Sequence, residues 1–102
     1  MTNQASRITL ETTGARDLRA VGVLDSHTAD EFESWIRTFG TDEDLVVDFT
    51  EVSFVDSSGL SALVTAHKCF ESTTNKLTLR GTSDSVMRLF ELTGLVEHLH
   101  LT

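Results

Sequence analysis

The first part of the chain alternates hydrophobic and polar positions with the two-residue period of a β-strand. Ile8 and Leu10 stand between polar neighbours in residues 7–12, and residues 18–24 form a second run rich in Leu and Val. Alternation of this kind is typical of strands with one buried face. Gly14 separates the two runs, and a glycine in that place is typical of a hairpin turn. We therefore predict two antiparallel strands at the start of the chain.

The spacing then changes to that of a helix. Thr28 followed by Glu31 is a capping-box pattern, which predicts that a helix starts there. Gly40 is expected to end it. Four apolar residues between these points recur at i, i+3, i+4 and i+7, the pattern of one buried stripe: Phe32, Trp35, Ile36 and Phe39.

The middle of the chain predicts a buried strand and a second helix. Residues 45–49 have apolar side chains at adjacent positions, which favours a central strand covered on both faces. Four residues at helical spacing then predict a helix that runs to about Ser72, with Asn75 in the left-handed position beyond it: Leu60, Leu63, Val64 and His67.

The last part of the chain predicts one more strand and a third helix. Leu77 and Leu79 alternate with polar residues, and Ser83 is placed to cap a helix that ends at Gly94. Three apolar residues mark the buried side of that helix: Val86, Leu89 and Phe90. Residues 96–101 alternate weakly, and they predict either a final strand or a helix.

The predicted order is β-β-α-β-α-β-α, with an optional last strand. Helices between strands favour parallel pairing with right-handed crossovers. We therefore predict an α/β fold, a small mixed sheet of about four to five strands flanked by helices. The chain has 102 residues, which suits one domain with one core, residues 1–102.

Charge and composition exclude several classes of function. The net charge is −8, with 16 acidic and 8 basic residues, and this argues against binding to nucleic acid or to an anionic membrane surface. The start of the chain has no apolar signal-peptide region, and no run approaches the roughly 20 apolar residues of a membrane span. Cys69 is the sole cysteine, and we expect it in the core. These features favour a cytoplasmic protein.

The most informative segment lies between the central strand and the second helix, where Ser57 and Ser58 precede Gly59. A helix N-terminus favours an anion, so Ser57 is well placed to carry a phosphate. The alternative is that a serine only caps the helix. The G-x-S-x-G pattern of a hydrolase is absent, and the spacing of the four histidines indicates no triad, so we expect no enzymatic activity from these serines.

Two carboxylates, Asp25 and Asp56, are expected at strand ends near this segment. They could hydrogen-bond the backbone of their own turns, or form an acidic rim that a basic partner recognises. No third ligand is spaced to join them, so we predict neither a metal site nor a cofactor. His98 and His100 are expected on the surface.

The segment DFTEVSFVDSSGLSAL (residues 48–63) resembles the signature of STAS domains, particularly the anti-sigma factor antagonists of bacterial sporulation and stress pathways. GVLD (22–25), VMRLF (86–90) and LTGL (92–95) agree with that family in order and separation. The resemblance covers nearly the whole chain. It implies a small mixed sheet flanked by helices, in agreement with the prediction from the residues.

The resemblance also implies a function and a set of residues. Such proteins switch partners: the unphosphorylated form binds an anti-sigma factor that is also a serine protein kinase, which frees a sigma factor for transcription. Phosphorylation then releases the antagonist, and a serine phosphatase reverses the modification. By position, Ser57 is the implied phosphoacceptor, and the partner-binding residues are Asp25, Asp56, Ser57, Ser58 and Gly59. The alternative is a constitutive STAS subunit of a lipid or anion transport complex. A monomer is the default expectation.

Overall fold

The computed structural model describes residues 7–102. It contains five strands, three α-helices and one 3₁₀ turn, Leu95–Glu97, in this part of the chain. The strands are β1 Ile8–Thr12, β2 Asp17–Leu24, β3 Leu45–Val55, β4 Leu77–Arg80 and β5 His100–Leu101. The helices are α1 Ala29–Arg37, α2 Ser57–Glu71 and α3 Asp84–Thr93. This order confirms the predicted succession of elements, and the tail forms both a short helical turn and a strand.

The five strands form one mixed sheet in the order β1-β2-β3-β4-β5. β1 and β2 form the predicted antiparallel hairpin, whereas β2–β3, β3–β4 and β4–β5 are parallel pairs. The helix between each parallel pair carries the chain back to the starting edge of the sheet. The mixed α/β sheet flanked by helices is therefore confirmed, with β3 at its centre.

The core lies between the sheet and the helices. Phe32 of α1 meets Phe49 of β3 edge to face, with ring centroids 6.0 Å apart. The side chain of Trp35 is only partly buried, at the margin of the core. Fully or almost fully buried side chains come from β2, β3 and β4 and from all three helices, among them Leu18, Leu24, Leu45, Val47, Val52, Leu63, Phe70, Leu79, Val86 and Phe90.

The ends of α1 and α3 show how far capping patterns predict local contacts. The Ser83 hydroxyl accepts a hydrogen bond from Val86 N–H, and Gly94 ends α3 with φ +78°, as predicted. Thr28 is the N-cap residue of α1, which confirms the predicted start of the helix, but its side chain makes no capping bond, so the capping-box contact itself is not formed. Its hydroxyl instead donates to Val23 O and accepts from Asp25 N–H, both at 2.9 Å, because the β2 end is near enough to compete.

Three other predictions are corrected. α1 ends at Arg37, before Gly40, and β3 extends to Val55 rather than Phe49. No non-glycine residue in the described part of the chain has a positive φ, so Asn75 is not left-handed. Asn75 instead donates from its amide to Thr41 O at 2.8 Å, and the hydroxyl of Thr73 satisfies the α2 end at Phe70 O.

Cys69 is exposed, and its predicted place in the core is wrong. The buried side of α2 includes Ala62, Ala66 and Phe70. Successive helical residues are rotated by about 100°, which places Cys69 away from the direction of its buried neighbour Phe70.

Candidate functional site

The carboxyl ends of β2 and β3 lie side by side, and they bring two loops together. Leu24 pairs with Val55 at the last position of the two strands. The Asp56 N–H donates to Leu24 O at 3.2 Å, which ties the start of the second loop to the end of the first strand. Because the strands are parallel, the residues that follow them leave the same edge of the sheet. Asp25 and Asp56 are therefore neighbours in the fold although they are 31 positions apart in the sequence.

Asp56 is the N-cap of α2. Its backbone is extended, and its Oδ1 accepts a hydrogen bond from Gly59 N–H at 3.0 Å. An aspartate in this position satisfies one of the backbone donors that the helix itself leaves unpaired. The alternative in which a serine caps the helix is therefore wrong, since Ser57 and Ser58 are the first two helical residues.

The two serines differ in exposure. Ser57 is exposed and Ser58 is half-buried. Because capping is done by Asp56, the Ser57 hydroxyl is not needed to hold the helix, and it makes no hydrogen bond within residues 7–102. It lies in the first turn of α2, where free backbone N–H groups and the helix dipole favour negative charge. This geometry allows a phosphate on Ser57 without loss of the cap.

Gly59 sets how closely α2 approaches the sheet. A Cβ atom at this position would overlap the carbonyl oxygen of Leu24 and lie 2.9 Å from Val55 Cγ1. Gly59 is buried, and its N–H is the donor to the Asp56 cap. Only a residue without a side chain permits this approach of helix and strand. The glycine therefore holds the serine loop against the end of β2.

The Asp25 loop is ordered by its own hydrogen bonds. Asp25 is 8% exposed, and its Oδ1 accepts from His27 N–H at 2.9 Å. Its backbone carbonyl accepts from the N–H groups of Thr28 and Ala29. Asp25 and Asp56 thus both accept backbone hydrogen bonds in their turns, as one of the two predicted alternatives requires. The acidic rim that a basic partner would recognise stays a prediction.

Sequence reasoning missed an exposed aromatic residue beside the serines. Phe54 is 51% exposed although it lies in the central strand. It borders a shallow groove of about 210 Å³ between the end of β3 and α3, which Leu89 also lines. Two adjacent apolar residues, Phe54 and Val55, were the signal in the sequence. Adjacent residues of a strand point to opposite faces, so when Val55 is buried Phe54 faces outward. The serine loop therefore adjoins an apolar surface.

The remaining candidate residues lie elsewhere. His98 and His100 are exposed, as predicted, and they lie with His67 at the C-terminal part of α2. Within residues 7–102, no three side chains of His, Cys, Asp or Glu are placed to share a metal ion. The helices of this part of the chain are also too short or too polar to cross a bilayer.

Comparison with known proteins gives a family and a fold. The STAS domain model matches residues 7–102. The anti-sigma-B factor antagonist of Listeria monocytogenes is 36% identical over 87 residues, which are 83% of this chain and 76% of the relative. That degree of identity over most of both chains supports a common family.

Two solved proteins share the fold. The anti-sigma factor antagonist SpoIIAA in its unphosphorylated form has a TM-score of 0.72 at 23% identity, covering 94% of this chain and 88% of its own. The phosphorylated form of the Bacillus SpoIIAA has a TM-score of 0.66 at 22% identity, covering 94% and 91%.

The murine Solute Carrier 26 family member A9 anion transporter gives a TM-score of 0.68 at 21% identity, and the match covers 88% of this chain but 16% of the transporter. At such identities these likenesses establish architecture alone. Together with the family model and the sequence relative, they lead to one conclusion: this chain belongs to the STAS domain family.

Proposed function

We propose that this protein is an anti-sigma factor antagonist that switches partners through phosphorylation of Ser57. The proposal rests on one observation at the start of α2. Asp56 caps the helix, and the exposed Ser57 hydroxyl is therefore available for modification. The 36% identical Listeria relative carries the name anti-sigma-B factor antagonist, which supports the same function. In this role the protein regulates transcription in a stress response and catalyses no reaction.

The docking surface in this proposal has an acidic part and an apolar part. Asp25 and Asp56 flank the serine loop, and Phe54 and Leu89 border it with apolar surface. Interfaces combine an aromatic or aliphatic anchor with a polar rim that sets orientation. The matching partner surface is basic around an apolar centre. The partner is an anti-sigma factor with serine protein kinase activity, and Ser58 and Gly59 complete the surface that it contacts.

Phosphate on Ser57 changes binding more than it changes the fold. A phosphoserine adds about −1.5 to −2 charges, and the N-terminus of a helix offsets part of that charge. The two neighbouring aspartates are already acidic, so the modified loop presents concentrated negative charge to the partner. Burying unpaired charge in an interface is costly. The complex therefore dissociates, and a serine phosphatase restores the binding form.

Affinity measurement of Ser57 variants tests the proposal. The wild type and Ser57→Ala are expected to bind the cognate kinase, whereas Ser57→Asp is expected to lose at least tenfold in affinity, equivalent to about 1.4 kcal/mol. Incubation with the kinase and ATP should add one phosphate, located at Ser57 by mass spectrometry. Ser58→Ala is the matched control in the same helical turn and should accept phosphate at Ser57. Equal affinities of wild type and Ser57→Asp would contradict the proposal.

The second candidate function is a constitutive subunit of a membrane transport complex for lipids or anions. The observation in its favour is that the fold matches a domain of the murine anion transporter. A pull-down from native lysate with wild type and Ser57→Asp as parallel baits separates the two functions. Transport components held equally by both baits would support the second, and a kinase lost from Ser57→Asp would support the first. We further propose that the protein acts in the cytoplasm as a monomer, with residues 1–102 forming one domain.

A further inference from the structure

The C-terminal segment, residues 95–102, is held to the rest of the fold by few backbone contacts. β5 has two residues, whose partners in β4 are Thr78 and Leu79. Two further hydrogen bonds join Thr102 N–H to Leu79 O at 3.0 Å and Gly81 N–H to Thr102 O at 3.2 Å. Four of its apolar side chains are partly buried against the core: Leu95, Val96, Leu99 and Leu101. A short edge strand of this kind opens more readily than the central strands.

His67 of α2 lies beneath this segment, away from the serine loop at the other end of the helix. Its side chain is 13% exposed, and its ring centroid is 5.5 Å from that of His100 in β5. Its Nε2 is 3.8 Å from Glu71 Oε2, whereas its Nδ1 is buried without a hydrogen-bond partner. A neutral imidazole can leave one nitrogen as an unused acceptor, but an imidazolium carries a donor on both nitrogens. Protonation therefore creates a buried donor without an acceptor, which is costly.

Every element packed against His67 contributes ionisable side chains near it. Its two adjoining cavities, of about 380 and 190 Å³, are lined by these ionisable neighbours: Glu71, Lys68, Lys76, Glu97, His98 and His100. Burial lowers the pKa of His67 below its ordinary 6.5, Glu71 acts in the opposite direction, and His100 and His98 lower it further. The closed arrangement thus favours the neutral ring.

We propose that His67, His98 and His100 form a pH-sensitive latch that holds the C-terminal segment closed at neutral pH and releases it on acidification. When the segment opens, His67 gains access to water and its two histidine neighbours move away, so the open form binds protons more readily. Opening also uncovers the edge of β4 and the apolar residues that the segment buries. This inference is independent of the phosphorylation proposed at Ser57.

The direction of the pH dependence follows from linkage. The closed form has the lower His67 pKa, so opening takes up a proton between that value and the ordinary value near 6.5. The segment is therefore most stable above that range, and it loses stability as the pH falls through it. One coupled proton limits the change to about tenfold in the opening equilibrium for each pH unit.

Amide hydrogen exchange followed by NMR between pH 7.5 and 5 tests the latch. The protection factors of Thr102 and Gly81 report opening of the segment, and that of Val46, which donates to Arg16 O, reports global unfolding. In the wild type we expect protection at Thr102 and Gly81 to fall by about tenfold over the range, within the limit for one coupled proton, and to stay below that of Val46. In His67→Gln the fall at the same two amides should stay within twofold.

The same fall in wild type and His67→Gln, or no fall in the wild type, would overturn the proposal. The double variant His98→Asn, His100→Asn keeps it testable if His67→Gln does not fold, because both side chains are exposed. Replacing these two neighbours of His67 should reduce the acid-induced loss of protection. An unchanged loss in the double variant would also count against the latch.

Discussion

At the scale of single residues, a few close contacts determine the position and exposure of the serine loop. Gly59 allows α2 to approach β2, Asp56 caps the helix, and Ser57 is left exposed. The motif indicated the importance of all three residues before their contacts were visible. The motif alone does not say which residue caps the helix, because an aspartate and a serine are both good N-cap residues.

Replacement of Gly59 by alanine tests the close approach. The new methyl group would overlap the Leu24 carbonyl, so helix and strand must separate. Overpacking of this kind costs roughly 1–3 kcal/mol, and urea denaturation should show that loss of stability. Ser58→Ala, one residue away, is the matched control and should change the free energy of unfolding by less than about 0.5 kcal/mol. Equal stability of Gly59→Ala and wild type would show that α2 and β2 can move apart without a cost in free energy.

Asp48 gives a pH-dependent prediction at the same scale. Hydrogen bonds from the Thr50 hydroxyl and backbone N–H lower the pKa of Asp48 below its ordinary 3.8, with smaller contributions from Arg80 and Arg19. A carboxyl with a lowered pKa in the folded state stabilises the protein above its unfolded pKa, and that contribution is lost as the pH falls through the folded pKa. Asp48→Asn should therefore be less stable than wild type at pH 7, with the difference shrinking below about pH 4.

Urea denaturation of Asp48→Asn across this range measures the effect. Asp42→Asn is the control, since it removes the same charge from an exposed loop position. A stability difference that is equal for both variants would mean that net charge, rather than the Thr50 hydrogen bonds, controls the response.

At the scale of elements, periodicity predicted the helices and strands because each has one face toward the core. This holds for β3 as well: Leu45, Val47 and Phe49 are buried and Val46 is half-buried, so only one of the two faces predicted to be covered is fully buried. The predictions that failed concern the ends of elements and side chains that have competing hydrogen-bond partners. Thr28 bonds to the end of β2 instead of its own helix, and β3 continues beyond Phe49 because it pairs with β2 as far as Val55. Thr28 bonds to Val23 and Asp25, which are close in sequence, but the capping pattern describes only contacts within the helix. The β2 partner of Val55, Leu24, is 31 positions away, so no local pattern could reveal where β3 ends.

The cap of α2 gives a prediction about the element as a whole. Asp56→Ala removes the acceptor for Gly59 N–H and should cost about 1 kcal/mol of stability. Ser57→Ala removes no capping bond and should cost less than half of that. Thermal unfolding of the two variants under the same conditions measures this difference. A larger loss of stability in Ser57→Ala than in Asp56→Ala would mean that the serine caps the helix.

At the scale of the whole molecule, the fold separates two surfaces along α2. The serine loop and Phe54 lie at its start, and the two cavities that adjoin His67 lie near its end. The sheet and the buried face of α2 connect them. Charge can therefore change at the serine loop while the core packing stays the same.

Thermal stability of Ser57→Asp tests this separation. Aspartate in the first turn of a helix is favoured by the dipole, so the melting temperature should stay within about 2 °C of wild type. The near-ultraviolet circular dichroism of Trp35 should also be unchanged. Loss of partner binding together with a large fall in melting temperature would show that the substitution acts through unfolding instead of through the interface.

The sequence by itself determined the order of elements, the mixed sheet and the position of the serine loop, since these depend on periodicity and on a local motif. Tertiary structure alone decided the rest. It assigned the cap to Asp56, left Phe54 and Cys69 exposed, and joined His67 to His100 across 33 positions of the chain. These outcomes depend on which groups come into contact in the folded chain. The spacing of hydrophobic residues along the sequence does not specify those contacts.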